Sequence, residues 1–188
     1  MTQRAPRHVL LTGAPGCGKT TLVMAALRLL RESGRPVFGF WTEEIRQAGA
    51  RQGFALELVS GGREVLASMR RPGPPRVGRY GVNLEVMDDL VVPEIERGLA
   101  AARSQSGVVL VMDEIGKMEL FSASFQQTVV SAFGGPARVL ATIMARPHPF
   151  AEMLKQRPDV RLITVTRENR ERLVAQIGEM LLGGANGA

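Results

Sequence analysis

Apolar positions along the chain fall into two patterns, short continuous runs and stretches that recur every three to four residues. The apolar run Val9-Leu10-Leu11 predicts a short buried strand over residues 9–12. Beyond it, Leu22, Val23, Ala26, Leu27 and Leu30 recur at helical spacing over residues 19–32, with Gly34 placed to end the helix. Residues 37–42, Val-Phe-Gly-Phe-Trp-Thr, predict a second strand, and a strand–helix–strand order implies a right-handed crossover and parallel pairing. The pattern changes at about residue 49. Phe54, Leu56 and Leu58 alternate with their neighbours, Gly61-Gly62 marks a hairpin turn, and a further strand is expected over 80–84. Residues 84–102 return to helical spacing, with Val86, Leu90, Val91, Ile95 and Leu99 on one face and Pro93 set to break or restart the helix.

Val108-Val-Leu-Val-Met112 is the most hydrophobic run, continuous as in a central parallel strand covered on both faces. A helix over 121–133 follows, with Phe121, Phe125 and Val129 on one stripe, then a strand over 139–143 and a short helix over 150–156. A last strand is expected over 159–165, and Thr166 is placed to cap a closing helix with Leu173, Ile177 and Leu181 inward. Together these elements predict an α/β fold: a single three-layer domain over residues 1–188 with a mostly parallel central sheet. A small β-rich insertion occupies about 46–84 and a flexible tail 183–188.

At 188 residues the chain suits one sizeable core, and its 45% hydrophobic and 22% charged residues are ordinary for a soluble protein. No apolar run approaches the ~20 residues that span a bilayer, and the N-terminus lacks a signal-peptide core. The lone Cys17 excludes an internal disulfide, so a cytoplasmic protein, and a monomer, is the expectation. The net charge of +6 is uneven: residues 46–80 hold seven arginines against Glu57 and Glu64, leaving +1 for the rest. That segment is either a phosphate- or nucleic-acid-contacting surface or a solvated loop.

The chemistry begins at Gly13-Ala-Pro-Gly-Cys-Gly-Lys-Thr20, which fits G-x-x-x-x-G-K-[ST], a phosphate-binding loop between a strand and a helix. Residues without a Cβ let backbone N–H groups converge on phosphate oxygens, and the helix behind presents its positive end to the same anion. Gly13, Ala14, Pro15, Gly16, Cys17, Gly18, Lys19, Thr20 and Thr21 are therefore the candidate nucleotide-binding residues. Backbone amides over 15–19 and the Lys19 ammonium would hold the β- and γ-phosphates, and the Thr20 hydroxyl would ligate Mg²⁺. The run 108–112 ends in Asp113-Glu114, the Walker B pattern, in which Asp113 holds the metal.

Five segments occur in order: Gly13 to Thr20, Gly39-Phe-Trp-Thr-Glu-Glu44, Arg76-Val-Gly-Arg-Tyr80, Asp113-Glu-Ile-Gly-Lys-Met-Glu-Leu-Phe121 and Thr166-Arg-Glu-Asn-Arg170. In these the chain resembles the small P-loop nucleoside-triphosphatase family, which includes thermophilic and cancer-related nucleoside-triphosphatases. The resemblance spans about residues 7–181. It implies slow, Mg²⁺-dependent hydrolysis of several nucleoside triphosphates (ATP, GTP, CTP, UTP, TTP) to diphosphate and phosphate. It also implies the subclass with a catalytic glutamate beside the Walker B aspartate and an extra strand between the two motif strands.

Glu114 is the residue expected to orient and deprotonate the attacking water. Lys19 and Lys117 are further catalytic candidates, Lys117 with pairing to Glu119 or Glu43 as its structural alternative. Arg46 and Arg79 are weaker candidates for stabilising transition-state charge, and Glu43 and Glu44 for serving metal or water. Two other functions fit the same residues: a kinase on this fold, and a nucleotide-dependent nucleic-acid-binding protein using the basic segment.

Overall fold

The computed structural model describes residues 6–183. The elements in chain order are β1 (His8–Thr12), α1 (Lys19–Glu32), β2 (Val37–Gln47), β3 (Ala50–Leu58), β4 (Arg63–Ser68), β5 (Arg76–Val77) and β6 (Tyr80–Val82). There follow α2 (Leu84–Val86), a π-helical turn (Met87–Val91), α3 (Val92–Ser104), β7 (Val109–Ile115) and a 3₁₀ turn (Glu119–Phe121). The chain closes with α4 (Ala123–Gly134), β8 (Arg138–Ile143), α5 (Pro149–Lys155), β9 (Val160–Thr164) and α6 (Arg170–Leu182). The expected flexible tail lies, from residue 184, outside the described residues.

The nine strands among the described residues form one sheet, in the order β5-β6-β4-β3-β2-β7-β8-β1-β9. Strands β2, β7, β8, β1 and β9 run parallel, and β3 to β6 extend the sheet antiparallel. The insertion thus continues the domain's own sheet. Strand β8 separates β1 from β7, the two strands that carry the sequence motifs.

The central strands read as unbroken apolar runs because each face is covered by helices. Leu10, Leu110, Met112 and Val139 pack toward Ile95 of α3 and Phe125 and Val129 of α4. Val9, Leu11, Val109, Val111 and Leu140 pack with Leu22, Val23 and Ala26 of α1 and Leu173, Ile177 and Leu181 of α6. Burying a side chain such as Phe125, which is fully excluded from solvent, stabilises by about 1.5–3 kcal/mol.

Four sequence expectations are corrected. Strand β2 continues five residues beyond 42 as a two-stranded arm with β3. Its outer part, Glu43 to Gln47, is largely exposed and polar, so no apolar pattern announces it. The helix over 84–102 is α2, a π turn and α3 in continuous succession. The π turn shifts the buried face to Val86, Met87, Val91, Ile95 and Gly98, and Pro93 follows directly after it as the second residue of α3, so the proline neither ends nor restarts the helical run. Phe121 is 40% exposed rather than on the core stripe, because α4 starts only at Ala123, capped by Ser122. Thr166 does not cap α6 directly. Its hydroxyl accepts from the N–H of Asn169, the residue before the helix, in a reciprocal turn.

Candidate functional site

The loop from Gly13 to Gly18 joins β1 to α1 at the carboxyl edge of the parallel strands. Gly18 is the turning point: its φ of +103° belongs to the left-handed region, and a Cβ there would lie 3.0 Å from Arg170 Cδ. Helix α1 then begins without a side-chain cap and without an acid in its first turn, so its positive end is left uncompensated. Pro15 has no N–H, and that of Cys17 donates to the Ala14 carbonyl at 3.2 Å, so the expected run of amides over 15–19 is incomplete. Among the described residues the N–H groups of Gly16, Gly18, Lys19 and Thr20 have no intramolecular acceptor. Cys17 is buried against the α1 core as a small spacer. Lys19 Nζ donates to the carbonyls of Gly13 (3.1 Å) and Ala14 (3.3 Å) and thereby sits over the loop.

Asp113 and Glu114 end β7 two strands away. Regular alternation would send their side chains to opposite faces, but the β7–β8 register shifts between Met112 and Ile115, a bulge that re-aims the pair. Asp113 is 1% exposed; Thr142 of β8 donates its hydroxyl to Oδ1, while Oδ2 is buried with no protein partner. Burial pushes the Asp113 carboxyl up, and the hydroxyls of Thr142 and Thr20 and the charge of Lys19 pull it back. Burial likewise raises Glu114, Lys19 opposes it, and Asp113 adds a smaller upward push.

A third carboxyl joins them. Glu119 is buried in the 3₁₀ turn, where Gly116 N–H donates to its Oε2 at 3.2 Å. Its pKa is pushed up to about 8, first by burial and then by Glu114 and Asp113 against two backbone N–H groups. A Cβ on Gly116 would lie 2.9 Å from Glu114 Oε1 and 3.0 Å from Glu119 Oε2, so both carboxyls flank this glycine. Sequence reasoning considered Glu119 only as a partner for Lys117. The available signal was an acid set between Met118 and Leu120, in an otherwise apolar stretch.

The cleft above these groups has a volume of about 680 Å³. Its floor is the loop and the start of α1 (Pro15, Gly16, Gly18, Lys19, Thr20, Thr21) with Glu114. The arm supplies Thr42, Glu43, Glu44, Arg46, Arg51 and Phe54, and Arg170 comes from the start of α6. On the arm, Glu44 pairs with both Arg46 and Arg51 at 2.6 Å. Arg63 pairs with Glu43 and Glu57, which raises the Arg63 pKa.

Two candidates are not brought to the cleft. Lys117 is exposed on the turn after β7, because the chain leaves the sheet at Ile115 and folds into the 3₁₀ turn. Arg79 caps the far end of the insertion, donating to Tyr80 Oη (3.2 Å) and the Arg51 carbonyl (3.4 Å). The expected pairs of Lys117 do not form: Glu43 is engaged by Arg63 and Glu119 by Gly116 N–H. Arg51, Phe54, Thr42 and Arg170 line the cleft without having been singled out from sequence. Arg51 lay hidden in the basic segment and Arg170 at the end of a motif with no assigned role.

Among the described residues, no helix is long and apolar enough to cross a membrane, and no group of three or more His, Cys, Asp or Glu side chains forms a metal cage. A nucleotide-bound Mg²⁺ needs no such cage, since it takes one or two protein ligands and fills its shell with phosphate and water. The orphaned, buried Oδ2 of Asp113 beside Thr20 fits that demand.

The profile of the family described as NTPase matches residues 8–178. The human Cancer-related nucleoside-triphosphatase is 42% identical over 180 residues, covering 91% of this chain and 94% of that protein. The crystal structure of THEP1 from the hyperthermophile Aquifex aeolicus superimposes with a TM-score of 0.84 at 36% identity, over 93% of this chain and 98% of the other. The solution structure of a human cancer-related nucleoside triphosphatase gives 0.80 at 39% identity, over 96% and 100%. With a family match across nearly all its described length and whole-chain likeness to these proteins, the chain belongs to the small nucleoside-triphosphatase family.

Proposed function

We propose that the protein is a Mg²⁺-dependent nucleoside-triphosphate phosphohydrolase, releasing diphosphate and phosphate with broad base tolerance and slow turnover. The observation that carries this reading is one cleft that joins uncommitted loop amides and Lys19 to a partly buried Glu114, with Asp113 beneath them. The N–H groups of Gly16, Gly18, Lys19 and Thr20 bind the phosphate chain, and the Lys19 ammonium exchanges its two carbonyl partners for β- and γ-phosphate oxygens. Thr20 and Asp113 are the residues that would hold Mg²⁺, which supplies neutralisation of the charge that builds on the phosphates.

Glu114 orients a water in line with the γ-phosphorus and takes its proton. The water oxygen bonds to phosphorus as the bond to the β–γ bridging oxygen breaks, and that oxygen leaves on the diphosphate. Partial burial raises the carboxyl's basicity for this task. No role falls to Lys117 or Arg79. The arm's arginines are committed to Glu44, so charge stabilisation by Arg46 would require it to leave that pair.

The test is phosphate release from ATP, GTP, CTP and UTP with Mg²⁺, repeated with Glu114→Gln. Loss of turnover by about 10²–10⁴-fold with triphosphate binding retained supports the role. Unchanged turnover removes it, and phosphate transferred to an added nucleoside monophosphate in place of water replaces hydrolysis by kinase chemistry.

A further inference from the structure

Arg170 is the cleft's one arginine that no carboxylate holds: among the described residues Arg46 and Arg51 are tied to Glu44, while the Arg170 guanidinium has neither an ion-pair nor a hydrogen-bond partner. It is half-buried, and its side chain lies along the phosphate loop. The position of a Gly18 Cβ would be 3.0 Å from its Cδ and 3.2 Å from its Nη1. Such a placement is built. The β9–α6 turn is locked by Thr166 N–H to Asn169 Oδ1 (2.9 Å), Asn169 N–H to Thr166 Oγ1 (3.3 Å) and Asn169 Nδ2 to the Thr164 carbonyl (2.9 Å). Helix α6 then anchors the residue by packing Leu173, Ile177 and Leu181 into the α1 core.

Strand order fixes which end of the ligand Arg170 meets. Asp113, Glu114 and Thr142 stand on β7 and β8, to one side of β1, whereas Arg170 follows β9 on the other side. The reacting γ-phosphate must lie next to Glu114. A triphosphate laid across the loop therefore runs its nucleoside end toward β9.

We infer that Arg170 is the nucleoside contact of this site, its guanidinium plane lying on the face of the base. The inference rests on the hydrolase reading of the cleft and adds a specificity element to it. A guanidinium stacked on a π-face attracts any of the common bases and reads none of their edges, which gives a physical origin for broad base tolerance. Arg170 acts by binding and not in the chemical step.

The experiment measures equilibrium binding of ADP, GDP and CDP, and of inorganic tripolyphosphate, to the full chain with Mg²⁺, for wild type, Arg170→Ala and Arg170→Lys. Steady-state kcat and KM are measured with ATP, and thermal melts establish that both variants are folded. The expected result is a loss of nucleotide affinity of about 10-fold or more in Arg170→Ala, similar for all three bases, with tripolyphosphate binding within twofold of wild type. KM rises and kcat stays, because the lost contact is equal in ground and transition states. Arg170→Lys is expected to recover little, since an ammonium cannot stack as a plane. Equal loss for tripolyphosphate and nucleotides overturns the inference in favour of a phosphate clamp, as does unchanged nucleotide affinity. A wild-type protein that binds no nucleotide at all sinks the hydrolase reading itself.

Discussion

Acidification from pH 7.5 to 5 is expected to destabilise the fold through His8, the first residue of the strand that delivers the phosphate loop. Its ring is fully excluded from solvent and tilted against Phe133 at 5.1 Å, and its Nδ1 accepts the N–H of Val139 at 3.1 Å. The neutral tautomer thus carries its proton on Nε2, which faces Asp159 Oδ2 at 3.7 Å. A second proton would have to occupy Nδ1 and displace the Val139 bond. Burial is the largest influence; it outweighs the attraction of Asp159, with Arg7 and Arg157 adding to it, and lowers the pKa from 6.5 to about 4.

The sign follows from proton counting. The unfolded ring protonates near 6.5 and the folded one near 4, so the contribution is fully present above 6.5 and is lost as pH falls from there toward 4. The whole shift corresponds to about 3 kcal/mol, of which about 2 kcal/mol is gone by pH 5. For a chain of this size that lowers the melting temperature by about 4–8 °C. His8→Asn keeps an acceptor for Val139 N–H without titrating. Melts of both proteins by circular dichroism across this range isolate the effect, because the carboxylates common to both cancel. Wild type should lose about 4–8 °C more than the variant, and parallel curves refute the argument.

Two further predictions concern the site and its frame. Thr142→Val removes the hydroxyl that donates to Asp113 Oδ1, so the Mg²⁺ concentration for half-maximal turnover should rise about tenfold or more; an unchanged Mg²⁺ titration refutes that support. Gly39 has a φ of +123°, and a Cβ there would lie 1.9 Å from the Val111 carbonyl oxygen of the neighbouring strand. Gly39→Ala should therefore cost more than about 4 kcal/mol, read as a collapse of the urea midpoint, and a wild-type midpoint would contradict the packing.

The local parts of the site were legible because their physics is local. An apolar run before Gly13 and a helical repeat after Lys19 place the loop, and the continuous run to Met112 places Asp113 at the end of a buried strand. Element type followed from periodicity for the same reason, as in α1, whose buried Leu22, Val23, Ala26, Leu27 and Leu30 are those that the spacing predicts. The motif residues thus declare a triphosphate-binding chain before any tertiary contact is known.

What the sequence could not carry was anything fixed by partners distant along the chain. The arm beyond Thr42 is polar and gains its order from pairing with β3, so its role as a cleft wall has no hydrophobic signature. Asp113 and Glu114 reach one site only through the register shift against β8, and Glu119 joins them only because the chain turns back at Gly116. Lys117, three residues from Glu114, is turned outward by that same turn, while Arg170, 150 positions beyond Thr20 in the numbering, is laid against the loop by the packing of α6 on α1. Spacing along a chain specifies which groups a short element can present. Which of them share a cleft is decided by strand order and helix packing, because those interactions close loops far longer than any local pattern spans.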